Sequence, residues 1–62
     1  TNLSRLRKAR GLSQKELAKA SGVALRMIQL YEQKQNDINK SQAASLRSLA
    51  RTLGCRIEDL FE

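Results

Sequence analysis

Sixty-two residues allow one small domain, and a chain this short buries only about 60% of the surface that its unfolded form exposes. With no His, a single Cys and six Asp and Glu, it cannot assemble a His-based triad, a His or multi-Cys zinc site, or a disulfide framework; no enzyme chemistry, metal or cofactor is expected. Twelve Lys and Arg set the net charge at +6, and all twelve lie within residues 1–56, where the only acids are Glu16, Glu32 and Asp37.

There is no Pro and no β-alternation, and Gly11, Gly22 and Gly54 punctuate segments with helical spacing. The first helix is predicted from Asn2 to Arg10, with Leu3 and Leu6 on one stripe and Gly11 closing it. Ser13-Gln14-Lys15-Glu16 forms a capping box that starts a second helix over Gln14 to Ser21. Leu12 and Leu17 are placed there as a hydrophobic staple. A third helix starts after Val23 and runs to about Gln33. Asn39 is expected to cap a fourth, with Gln42 three residues on and Ile38 as an apolar anchor. Leu46, Leu49, Ala50 and Leu53 supply its core stripe. A short fifth helix follows over Ile57 to Phe61, with Glu58 and Asp59 at its positive end. The expected fold is all-α, a compact five-helix domain spanning residues 1–62.

The basic stretch calls for a polyanionic partner. Aromatic residues are only Tyr31 and Phe61, too few to stack the bases of a single strand, so double-stranded DNA is the expected partner. A lone Cys55 suits a reducing compartment, where it packs as a small apolar group. No apolar run approaches the roughly 20 residues needed to cross a bilayer, and no signal-peptide pattern is present. The expectation is a cytoplasmic, nucleoid-associated chain without a membrane partner.

The second and third helices carry the functional signal. Ala18 is small where two helices must cross closely, Gly22 sits in the turn, and Val23 and Ile28 fill the wedge. This is a helix-turn-helix, which lays its second helix in the major groove. At 100° per residue, Ile28 and Tyr31 face the core, while Arg26, Gln29, Leu30 and Gln33 face away. Glu32 falls at the core margin. Leu25 lies at the edge near the helix N-terminus. Arg26 can donate a bidentate pair to guanine and Gln29 can pair with adenine, while Leu25 and Leu30 suit a thymine methyl. Gln14 opens the second helix, where free amides and the dipole favour a phosphate. Gln33, Lys34, Gln35 and Lys40 are further phosphate candidates, and Lys15, Lys19 and Arg10 are expected nearby. Arg47, Arg51 and Arg56 are read as a solvated face.

The run Leu12-Ser13-Gln14-Lys15-Glu16-Leu17-Ala18-Lys19-Ala20-Ser21-Gly22-Val23, followed by Ile28, Tyr31 and Glu32, resembles the Cro/repressor type of helix-turn-helix, the XRE family. The ending Leu49-Ala50-Arg51-Thr52-Leu53-Gly54-Cys55-Arg56-Ile57-Glu58-Asp59-Leu60-Phe61 is similar to that family's last two helices. The resemblance implies a bacterial or phage transcriptional regulator, a repressor, that binds an operator as a homodimer. It implies base reading by Leu25, Arg26, Gln29 and Leu30, a phosphate contact by Gln14, and a structural Arg7–Glu32 ion pair. Leu60 and Phe61 are expected at the dimer contact. An antitoxin-type protein or a protein-interaction module on the same fold is the alternative. Two positions depart from the family pattern: Ala24 stands where Ser or Thr caps the third helix, and Lys34 where Gly commonly follows Glu32. Lys34 therefore either continues the helix to Asn36 or adopts a left-handed conformation.

Overall fold

A computed structural model describes residues 1–62 as four α-helices, α1 (Asn2–Ala9), α2 (Gln14–Ser21), α3 (Leu25–Glu32) and α4 (Ala43–Leu53), with single 3-10 turns at Ile38–Lys40 and Ile57–Leu60. The expected fifth helix is that last turn. It closes through i→i+3 bonds, Asp59 N–H to Arg56 C=O at 3.0 Å and Phe61 N–H to Glu58 C=O at 3.3 Å, and an extended Phe61 ends it after four residues. The start expected for the fourth helix also moves. Asp37, not Asn39, acts as the cap, its side chain accepting the Asn39 N–H at 2.9 Å to close the short turn. Ser41 and Gln42 are extended, and α4 begins only at Ala43. Ile38, 5% exposed, anchors this detour in the core.

The core is wholly apolar. Each helix contributes through the stripe that its spacing lays down: Leu3 from α1, Leu17 from α2, Ile28 and Tyr31 from α3, and Leu46, Leu49, Ala50 and Leu53 from α4. Leu60 closes the base, fully buried. Burying one such Leu or Ile side chain is worth about 1.5–3 kcal/mol. α2 packs against both α3 and α4, and α1 against α3 and the Ile57–Leu60 turn. No helix is long and apolar enough to cross a membrane.

The capping box of α2 forms in both directions: Ser13 Oγ accepts the Glu16 N–H at 3.0 Å, and Glu16 Oε1 accepts the Ser13 N–H at 2.8 Å. The bond from the Ser13 N–H stabilises the ionised Glu16 carboxyl and holds it below its ordinary range. α3 has no such device. Its N-cap Ala24, at φ −57° and ψ 137°, offers no side-chain acceptor. Ala24→Ser supplies one on a compatible backbone, worth about 1 kcal/mol. The melting temperature is expected to rise by about 4–8 °C in a domain of this size; an unchanged or lower value contradicts the cap assignment.

α1 and α3 end in the same way. Leu12 N–H bonds Arg7 C=O while Gly11 N–H bonds Lys8 C=O; likewise Gln35 N–H bonds Leu30 C=O while Lys34 N–H bonds Tyr31 C=O. Both are Schellman motifs, and each needs a left-handed residue at the reversal. Gly11 meets that need without strain at φ 70°, whereas Lys34 takes φ 61° with a Cβ, a conformation that costs about 1–2 kcal/mol outside Gly. The left-handed path is thus the one adopted, and α3 stops at Glu32. Lys34→Gly is expected to raise the melting temperature by several degrees, and thermal unfolding of the two chains checks it.

Candidate nucleic-acid interface

α3 divides into two faces. Ile28 is fully buried and Tyr31 nearly so, and the Ser41 hydroxyl donates to the Tyr31 phenol oxygen at 2.6 Å. That bond ties the helix to the segment before α4, a long-range contact with no local signal in the sequence. On the other face Arg26 and Gln33 are exposed, and Leu25, Gln29 and Leu30 are half-buried. Neither leucine joins the core cluster, although Met27 packs against it. Arg26 makes no ion pair within the chain, so its five N–H donors are free. The outward face therefore presents one guanidinium, two carboxamides and two aliphatic side chains. That set can address guanine, adenine and the thymine methyl through the major groove.

A part-buried polar network at the core margin fixes how this helix sits. Arg7 Nε donates to Glu32 Oε2 at 2.7 Å and Nη2 to Oε1 at 3.0 Å, while Nη1 donates to the Leu12 carbonyl at 2.8 Å. One guanidinium thus joins α1, the lead-in to α2 and the end of α3. The side chains of Arg7 and Glu32 are only 11% and 8% exposed, which puts the pair in the buried regime rather than the surface one. Burial pushes the Glu32 carboxyl up, but the hydrogen bonds from Arg7 and Gln14 outweigh it and hold the group below its ordinary value. The bond to Glu32 in turn raises Arg7.

Gln14 is part of the same network. Its Nε2 donates to Glu32 Oε1 at 3.0 Å, which leaves a second N–H and the carboxamide oxygen uncommitted. Ser13 occupies the Glu16 N–H, and the backbone N–H groups of Gln14 and Lys15 have no partner within the chain. Such a helix start is suited to an anion. Gln33, Lys34, Gln35 and Lys40 are all exposed around the reversal after α3.

Two expected contributors are placed elsewhere. Arg10 Nε donates to the Leu53 carbonyl at 2.8 Å, closing the C-terminus of α4, and its guanidinium lies over Gly54, where a Cβ would overlap it. Arg10 is a structural bolt, favoured by the negative end of the helix dipole. Leu60 is fully buried within one chain and offers nothing to a second copy, whereas Phe61 is 37% exposed. Cys55 is half-buried against the core, and burial, with Asp59 nearby, pushes its thiol up and away from reactivity.

A family model described as helix-turn-helix matches residues 3–60, so the match covers every element that builds this face. No curated protein and no solved structure matches the chain.

Proposed function

The chain belongs to the helix-turn-helix family, in its Cro/repressor (XRE) type, and from that membership we propose that it regulates transcription by binding a specific double-stranded sequence, as a repressor that occupies an operator. The observation that carries this reading is the division of α3: its inner side is locked by Ile28, Tyr31 and the Arg7–Glu32 pair, and its outer side leaves Arg26 unpaired. Arg26 and Gln29 act as the base readers, with Leu25 and Leu30 against thymine methyls. Gln14, Gln33, Lys34, Gln35 and Lys40 hold phosphates and set the register.

Size argues for a homodimer. The chain's longest extent is 25 Å, shorter than the ~34–36 Å between successive half-sites on one face of the duplex. One copy therefore covers a single half-site, and one module buries too little surface for tight specific binding. Phe61, the one large apolar side chain left exposed, is the natural contact between copies.

Selection of bound sequences from a random duplex pool tests the proposal. The expected product is an enriched palindrome with half-site centres about one helical turn apart. A pool that remains random contradicts sequence-specific binding, and a single unpaired half-site contradicts the dimer.

A further inference from the structure

Three cations outside the reading face converge on one open polar groove of about 560 Å³. Arg5 and Lys8 come from the exposed side of α1, and Lys34 from the reversal after α3; Thr1, Asn2, Ser4 and Glu62 complete the wall. No large apolar side chain lines it, which distinguishes it from a protein-docking surface, where apolar anchors carry the energy. None of the three cations has an acidic partner, since the chain's ion pairs are Arg7–Glu32 and Arg56–Asp59. The single carboxylate in the wall, Glu62, already accepts the Asn2 N–H at 3.2 Å. Arg5 is held in place by its own bond, Nη2 donating to Asn2 Oδ1 at 2.9 Å.

Lys34 reaches this groove from a left-handed position at φ 61°, which the closure of the chain onto the core imposes on it. That path puts its ammonium in the same groove as two cations of α1, an element far apart in sequence, and none of the three has an acidic partner.

We propose that the Arg5–Lys8–Lys34 groove is a phosphate-binding site. Its ligand chemistry is a phosphate group, supplied by the DNA backbone beyond the bases read by α3 or by a free phosphate compound. The DNA source rests on the function proposed above; the free-phosphate source does not.

The test has two arms on the full chain and on two variants, Arg5→Gln/Lys8→Gln and Lys34→Gly. In the first, inorganic pyrophosphate is titrated while backbone amide resonances are followed. Saturable shifts at residues 2–8, 34 and 62 are expected, with affinity about tenfold weaker in either variant. Because Lys34→Gly relieves strain, weaker binding by that variant cannot be assigned to unfolding, and its melting temperature verifies this. In the second arm, duplex affinity is measured against salt. A slope reduced by about 0.9 for each phosphate that is no longer neutralised, read in Arg5→Gln/Lys8→Gln because Lys34 already belongs to the proposed phosphate contacts, assigns the site to the DNA backbone. An unchanged slope together with groove-confined pyrophosphate shifts assigns it to a free phosphate compound. Pyrophosphate shifts absent from the groove, or confined to the start of α2, together with an unchanged slope overturn the proposal. A chain that binds no duplex but still shifts with pyrophosphate contradicts the proposed function and leaves the groove standing.

Discussion

Arg7→Ala is expected to destabilise the fold by about 3 kcal/mol, because it leaves the Glu32 carboxylate buried without its cation. A domain of 62 residues has only about 3–9 kcal/mol of stability in all, so this single change removes a large part of it. The geometry decides the size of the effect. A surface pair is worth at most about 1 kcal/mol, but here both side chains are about nine-tenths buried and share two charge-assisted bonds. Arg7→Lys is expected to recover little, since an ammonium cannot reach both Glu32 oxygens and the Leu12 carbonyl in one plane. Replacing both partners, as Arg7→Met with Glu32→Leu, should restore most of the stability, because no charge then stays buried. Denaturant unfolding of the single and double variants checks this; a single variant within 0.5 kcal/mol or so of the parent contradicts the buried role.

The same pair sets an acid limit. Glu32 and Glu16 both have folded-state values below the ordinary one. Their contribution is therefore complete above the unfolded carboxylate value of about 4.3 and is lost as pH falls through the folded values. Stability should be level near neutrality and fall below about pH 4.5. Glu32→Gln, already lower in stability at neutral pH, should show a shallower fall. An unaltered acid profile in that variant excludes Glu32 as a source of the transition.

Arg26→Ala is expected to weaken binding to the selected duplex by about 1–3 kcal/mol while leaving the melting temperature within error. Arg26 is exposed and forms no ion pair in its own chain, so truncation removes a base contact without disturbing the core. The signature is a weakening confined to one base position of each half-site: the variant should accept any base where the parent demands guanine. Truncating a phosphate contact behaves differently. Lys40→Ala should weaken all duplexes alike and lower the salt slope by about 0.9. A variant at Arg26 that lowers affinity equally for all sequences moves this side chain from the bases to the backbone.

Legibility in the sequence follows the range of the interaction. The capping box of α2, the core stripe of α4 and the two faces of α3 are set by residues within a turn or two of each other, and periodicity reveals them. The stretch from Lys34 to Gln42 is harder. Asp37 and Asn39 are both good caps, and only the burial of Ile38 against distant residues selects Asp37 and a short turn over an earlier start for α4. The reversal at Lys34 shows the same limit: the residue itself argues against a left-handed backbone, and the closure of the chain onto the core overrides it. Arg10 shows a contact of the other kind: its Nε bonds a carbonyl 43 residues away, for which no spacing rule exists. Pairing of Arg7 with Glu32 across 25 residues is expected only through family resemblance.

Whether the outward face of α3 reads base edges in duplex DNA is tested most directly by titrating the protein with its selected duplex and with a scrambled duplex of identical length and composition, at one fixed physiological salt concentration. Binding to the selected duplex should be tighter by at least about 10³-fold, the lower end for specific recognition. Equal affinity for the two would mean that the chain senses only backbone charge, and α3 would then not be a reading helix.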